Sequence, residues 1–160
     1  MKVAVVSDTH GRIEPFLNTL KQFNDVELII HLGDTVEDAT KIREKTKLPM
    51  FVVRGNNDYM DVNTPWRELV RINGHKILLT HGHREGVNFG ETKLYYAAKE
   101  AEAEMVIYGH THVYLYEEIE GIKILNPGSA GYDRGFEYES FVLMDVTSED
   151  ISIERIKLER

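Results

Sequence analysis

The sequence predicts a mixed α/β domain whose chemistry gathers where its strands end. Three observations carry this. The first half alternates strand, helix, strand, helix, strand. The second half is richer in hairpins. Five successive strand-like runs stop at Asp, Asn or His, usually beside a glycine. The alternation is that of a parallel sheet with right-handed crossovers. In open α/β sheets, ligands bind outside the carboxyl ends of the strands.

Each element follows from its residues. Lys2–Ser7 is a short β-branched run, expected to be a buried strand. Arg12–Phe23 places Ile13, Phe16, Leu17 and Leu20 at helical spacing. Val26–His31 is a second apolar run, ending at Gly33. Val36–Thr46 is a helix with a weaker apolar stripe, and Pro49 marks the restart into a third strand, Met50–Arg54. Leu69–Ile72 and Lys76–Thr80 flank Asn73-Gly74, a type I′ hairpin signal. Glu91–Ala103 is rich in Ala and Glu and is expected to be a helix. Met105–Tyr108 is a short strand ending at glycine. Val113–Ile119 and Ile122–Leu125 flank Glu120-Gly121 as a second hairpin, and Phe141–Val146 and Ile151–Leu158 close the chain as strands. No repeat, linker or low-complexity tract interrupts this order, so residues 1–160 are taken as one domain.

Composition narrows the function. The chain has 160 residues, enough for one sizeable core. No run of 18 or more apolar residues is present, so no membrane span and no membrane partner is expected. The apolar start, Met1 to Val6, is too short for a signal peptide and suits a buried strand. With no cysteine there is neither a disulfide scaffold nor a thiolate metal site, which fits a cytoplasmic enzyme. Nineteen basic against 27 acidic residues give a net charge of −8. Such a surface repels long polyanions, so a nucleic-acid polymer is not the expected partner. A bound pair of cations would still attract a small phosphate locally. A homo-oligomer is compatible with everything above.

The polar residues at the strand ends are Asp8 and His10, Asp34, Asn56, His81, and His110 with His112. Taken singly, most have bland readings. Asp8 could cap the following helix. Gly33-Asp34 and Gly55-Asn56-Asn57-Asp58 are ordinary turn sequences. Gly109-His110-Thr111-His112 is harder to dismiss, because two histidines two apart after a buried strand rarely serve packing. Taken together, chance would have to strike five times at the same structural position, and a metal site is the expectation. Glycines 11, 33, 55, 82 and 109 are expected to let the backbone turn there. Oxygen and nitrogen donors without sulfur suit Mn, Fe, Zn, Co or Ni rather than Ca. His31, inside a strand, is expected to be a satisfied core residue, and His75, beside a turn, to be solvated.

These blocks carry a resemblance. Asp8-x-His10, Gly33-Asp34, Gly55-Asn56-x-Asp58, His81-Gly82-His83 and Gly109-His110-x-His112 stand in the order and approximate spacing of the calcineurin-like metallophosphoesterase superfamily. Short length and Asn126-Pro127-Gly128-Ser129 resemble its small YfcE-type phosphodiesterase branch. The resemblance implies two mixed β-sheets packed as a sandwich flanked by helices. It implies Asp8, His10 and His112 on one metal ion, Asn56, His81 and His110 on a second, and Asp34 bridging them. Mn is the ion the family suggests first, with Ni, Zn, Fe or Co as alternatives. Two such ions about 3.5–4 Å apart clamp the attacking and leaving oxygens of an in-line displacement and supply a bridging hydroxide near neutral pH. The implied substrate is a small phosphodiester.

Asn57, Asp58 and His83 are the further candidates for the reaction itself. Many superfamily members carry a histidine where this chain has Asn57. An amide can bond a phosphate oxygen but cannot donate a proton at neutral pH. General acid catalysis is worth about 10²–10⁴-fold, so slow turnover or a preference for good leaving groups is expected. Asp58 is a candidate for orienting a histidine ring. Arg12, Arg54, Arg84 and Arg134 could each grip phosphate, although a solvated surface charge is the simpler expectation. Tyr95 and Tyr96 are expected to pack a helix, and the Asn126–Ser129 turn to fix the backbone near the site. The alternative function is a catalytically weak, metal-binding interaction scaffold of the retromer-subunit type. Such a scaffold need not keep all seven ligand candidates, and this chain has them all.

Overall fold

The structure is a computed structural model and describes residues 1–159 except Phe136. The described strands are β1 (Lys2–Val6), β2 (Leu28–His31), β3 (Met50–Val52), β4 (Arg67–Ile72), β5 (His75–Thr80), β6 (Met105–Ile107), β7 (Leu115–Ile119), β8 (Ile122–Asn126), β9 (Ser140–Val146) and β10 (Ile151–Lys157). The helices are α1 (Glu14–Leu20), α2 (Val36–Thr46) and α3 (Thr92–Glu100). The strands form two five-stranded sheets, ordered β10-β9-β1-β2-β3 and β4-β5-β6-β8-β7. Both are mixed. β1, β2 and β3 run parallel in the first sheet, as do β5, β6 and β8 in the second. The outer pairs are antiparallel.

Side-chain alternation builds the layers. Val3 and Val5 of β1 pack between the sheets against Ile77, Leu79 and Ile107. Ala4 and Val6, on the opposite face, meet Phe16 and Leu20 of α1 and Ile42 of α2. β1 is thus covered on both faces, which is why it reads as an unbroken apolar run. The second sheet repeats the scheme, with Leu78, Val106 and Ile124 against Leu94 and Ala98 of α3. Burying each such Val, Leu or Ile contributes about 1.5–3 kcal/mol. Both predicted hairpins form two-residue turns with φ above zero at Asn73, Gly74, Glu120 and Gly121, as a type I′ turn requires.

Two helices are shorter than their sequence patterns. α1 starts two residues late, with Pro15 in its first turn. It ends at Leu20, where the chain tightens into three-residue bonds from Gln22 to Thr19 and from Phe23 to Leu20. α3 stops at Glu100 because Glu102 turns left-handed and Ala103 reaches back to the Ala98 carbonyl. His75 is not solvated as expected. It is buried, 2.8 Å from Glu104 Oε1 and 2.7 Å from the Thr147 carbonyl. Its partners lie 29 and 72 residues away, beyond the reach of a local sequence reading.

Candidate metal centre

Parallel strands carry their ends to one rim. β1 delivers Asp8 and His10, β2 Asp34, β3 Asn56, β5 His81, and β6 His110 and His112. The loops are laced to one another: Asp8 N–H donates to the Gly33 carbonyl at 3.0 Å and Gly109 N–H to the His81 carbonyl at 2.9 Å. The two sheets are joined here as well, by His81 Nδ1 to the Leu32 carbonyl and His110 N–H to Asp8 Oδ2.

Gly11, Gly33 and Gly82 turn with positive φ as expected, but they are not alone. Asp8, His10, Asp34, His110 and His112 themselves hold φ between 45° and 72°. Left-handed backbone is uncommon for such residues and gathers where surrounding structure holds it for function. Gly55 and Gly109 are needed for closeness instead. A Cβ on Gly55 would lie 2.1 Å from Asp34 Oδ1, and one on Gly109 2.1 Å from Ser7 Oγ.

Asp8 is the hub. Its Oδ2 accepts from Ser7 Oγ at 2.5 Å and from His110 N–H at 3.0 Å. Its Oδ1 is buried without a hydrogen-bond partner. Around Oδ1 stand His112 Nε2 at 3.3 Å, His10 Nε2 at 3.8 Å and His81 Nε2 at 3.8 Å. His81 donates Nδ1–H to the Leu32 carbonyl at 2.7 Å, and His112 Nδ1 faces the Tyr132 carbonyl. Those bonds place the protons of the neutral rings on Nδ1 and aim the Nε2 lone pairs inward. Lone pairs of two or three imidazoles converging on a buried carboxylate oxygen call for a cation.

Two donor triads result: Asp8 with His10 and His112, and Asp8 with Asp34 and His81, each within 4.8 Å among its ligand atoms. Asn56 Oδ1 and His81 Nε2 lie 3.1 and 3.3 Å from His110 Nδ1 and extend the second triad. All seven sequence-predicted ligand candidates are thus gathered. Asp8 belongs to both triads. Asp34 lies 3.5 Å from His81 Nε2, and its carboxylate accepts from Asn57 N–H at 3.0 Å and from Asn57 Nδ2 at 2.7 Å.

The charges are consistent with a cation site. Burial opposes ionisation of Asp8, but the nearby His112 and His81 rings outweigh it, so its pKa lies below the usual value. Burial likewise opposes ionisation of Asp34, and His81 and Asn57 overcome it, holding the carboxyl far below its ordinary range. Burial disfavours a charged His81, yet Asp34 and Asp8 raise its pKa. Burial lowers that of His110, with His81 adding to the effect. Both carboxylates favour positive charge at His81 Nε2, the place a divalent ion would take.

The other candidates separate. Asp58 is buried, and its oxygens accept from the N–H groups of Asp34, Gly55 and Val36, each at 2.8 Å. These bonds tie the β2 and β3 loops together, where an imidazole partner was expected. His83 stands beside the site, its ring 5.5 Å from His81 and 6.2 Å from His110, and its Nδ1 is buried without a partner. Burial, then His81 and His110, depress its pKa to about 4. His31 is a satisfied core histidine, accepting from Gly33 N–H and lying 3.1 Å from Thr9 Oγ1. Arg12 is engaged by the Gly131 carbonyl. Arg54 and Arg84 lie over the Trp66 ring at 3.9 and 4.7 Å. Arg134 is exposed and close enough for its charge to act on His110.

Ser7, Asn88 and Tyr132 belong to the site without having been singled out. Asn88 Nδ2 lies 3.3 Å from His110 Nε2. Tyr132 acts through its carbonyl, which no residue type signals. The Asn126–Ser129 turn does brace the site: Asn126 Nδ2 donates to the Gly109 carbonyl and Ser129 Oγ to the Asp8 carbonyl. Shape alone does not mark the centre. A separate cleft of about 450 Å³ beside α1, lined by Leu17, Leu20, Phe23 and Lys45 among others, has no histidine in its lining.

Comparison with known proteins shows the family. Residues 1–149 match the family model described as the calcineurin-like phosphoesterase superfamily domain. The probable metallophosphoesterase YsnB of Bacillus subtilis is 30% identical over 154 residues, covering 96% of this chain and 89% of that protein. Phosphodiesterase MJ0936 of Methanocaldococcus jannaschii is 32% identical, covering 84% and 88%. Phosphodiesterase YfcE of Escherichia coli is 25% identical, covering 91% and 88%. Among solved structures, a predicted phosphoesterase of Streptococcus pneumoniae superposes with a TM-score of 0.82 at 28% identity, over 98% of this chain and 88% of that one. Zinc-bound Vps29 of Entamoeba histolytica gives 0.81 at 24% identity, over 98% and 99%, a likeness of fold alone.

Proposed function

The chain belongs to the calcineurin-like phosphoesterase superfamily, and from that premise we propose that it hydrolyses a small phosphodiester with two divalent metal ions. The observation that carries the proposal is Asp8 Oδ1, buried and unpartnered amid the Nε2 atoms of His10, His81 and His112. Asp8, His10 and His112 would hold one ion. Asn56, His81 and His110 would hold the other, with Asp34 shared. Mn fits the oxygen and nitrogen donors, as do Ni, Zn, Fe and Co. Ions so held supply Lewis-acid charge toward phosphate oxygens and make bound water more acidic.

The chain's own residues divide the remaining work. The Leu32 and Tyr132 carbonyls orient His81 and His112. Ser7 and the His110 amide fix the second oxygen of Asp8. Asp58 locks the loops that present Asp34 and Asn56. Asn57, now bonded to Asp34, carries an amide able to bind a phosphate oxygen when a cation takes over that carboxylate. His83 has a depressed pKa and is neutral near pH 7, a form that has one acceptor and one donor nitrogen to offer a substrate. With no strong acid beside the leaving group, esters of acidic alcohols such as p-nitrophenol should turn over best.

The scaffold alternative shares this fold, and the Vps29 likeness speaks for fold only. The complete donor set favours catalysis. Among the described residues, no helix is long and apolar enough to cross a membrane. The test is hydrolysis of bis-p-nitrophenyl phosphate and p-nitrophenyl phosphate by metal-stripped protein, with and without Mn²⁺. Mn-dependent turnover favouring the diester is expected. A folded, metal-loaded protein inert toward both would leave the scaffold reading standing.

A further inference from the structure

Three exposed aromatic residues sit on loops whose neighbouring residues or backbone contact or brace the candidate centre. Phe89 is 97% exposed, Tyr59 74% and Tyr132 58%. Phe89 closes a 3₁₀ turn, Val87–Phe89, that buried Val87 pins to the core and that Gly86 and Gly90 bound with positive φ. Its neighbour Asn88 touches His110. Tyr59 follows Asp58, whose carboxylate accepts three backbone N–H groups. Tyr132 donates its N–H to Ser129 Oγ at 2.8 Å and turns its carbonyl to His112. Three separate loops therefore each hold an aromatic residue at or next to a residue that contacts the site or braces it.

Ordered turns that hold large rings in solvent forgo the burial such rings normally gain, and exposed apolar groups of this kind mark binding surfaces. The occupant is limited by the centre itself. A phosphodiester held by its phosphate extends both ester arms away from the donor cluster, toward the loops that neighbour it. The net charge of −8 disfavours a long polyanion. A short ligand with a neutral, planar arm satisfies both conditions, since such arms stack on aromatic rings.

We infer that Tyr59, Phe89 and Tyr132 form an aromatic rim that binds a planar ester arm, so that the substrate class is a small phosphodiester bearing at least one nucleobase or aryl group. The inference rests on the phosphodiesterase reading and specifies its substrate. Tyr59 and Phe89 act as specificity residues through their rings; the Tyr132 backbone also positions His112.

The experiment keeps the leaving group constant and varies the retained arm. Thymidine 5′-(p-nitrophenyl phosphate) and methyl p-nitrophenyl phosphate both release p-nitrophenolate as water adds to phosphorus. Wild-type protein loaded with Mn²⁺ should show kcat/KM about tenfold or more higher for the thymidine ester. The double variant Tyr59→Ala/Phe89→Ala should lose about tenfold of that preference while its rate on the methyl ester stays unchanged. Calorimetric binding of the product, thymidine 5′-monophosphate, should weaken by a similar factor. Equal rates on both esters in wild type, or a preference that survives in the double variant, overturns the inference. A shift in sedimentation of the variant with its ester preference intact assigns the rim to a second copy of the chain and overturns it too. No turnover of either ester by the loaded wild type brings down the phosphodiesterase reading, and this inference with it.

Discussion

The two ends of the sheets use histidine for opposite purposes. At the carboxyl ends, His81 and His112 each present Nδ1 to a backbone carbonyl and leave Nε2 facing Asp8. At the other end of β5, His75 has oxygen acceptors at both nitrogens, Glu104 and the Thr147 carbonyl. Acceptors on both sides favour an imidazolium, a finished structural unit. One acceptor plus a converging carboxylate leaves a ring able to take either a proton or a metal. Burial therefore does not identify a ligand; what the second nitrogen meets does.

Asp34→Asn strikes the carboxyl-end arrangement hardest. It keeps the size of the side chain and removes charge beside His81. Diester hydrolysis should fall on the order of 10³-fold, read as kcat/KM with Mn²⁺. Wild-type rates would show that this carboxylate is only a loop brace. Gly109→Ala comes next, because its Cβ would meet Ser7 Oγ and Asp8 Oδ2 at 2.1 and 2.7 Å. A loss of about 1–3 kcal/mol in urea denaturation is expected, and an unchanged midpoint would mean that the rim gives way easily. Ser7→Ala is gentler, removing one bond to Asp8 and weakening Mn²⁺ binding about 10–100-fold, read by calorimetry.

The far end gives the smallest effect and the sharpest contrast. Folding raises the pKa of His75, chiefly through its hydrogen bond to Glu104. A raised folded pKa means that its stabilisation is complete below the unfolded value near 6.5 and fades as pH rises through the folded value. Thermal melts of wild type minus His75→Gln should thus show a difference at pH 6 that shrinks by pH 9. Diester activity of the variant at a fixed pH should be unchanged. A difference independent of pH would place the role of His75 in packing alone.

The same contrast explains what the sequence could show. Asn73-Gly74 and the apolar runs of β1 and β2 announce their structures because turn chemistry and alternation are local. The metal-type residues were legible because parallel strands end in one place. Orientation was not. That Asp58 would serve three backbone amides, that Leu32 and Tyr132 would supply carbonyls, and that His75 would find Glu104 and Thr147 are matters of distant segments meeting. The ends of α1 and α3 also escaped, since Phe23 and Ala103 fit a helical stripe while the chain had already tightened or turned.

Metal stoichiometry tests the centre most directly. Metal-stripped wild type and Asp8→Asn, both shown folded by circular dichroism, would be titrated with Mn²⁺ and the bound metal counted. With Asp8 holding one ion beside His10 and His112, two ions per wild-type chain are expected, and the variant should lose or weaken that one. Equal stoichiometry and affinity in the two proteins would contradict a metal centre organised around Asp8.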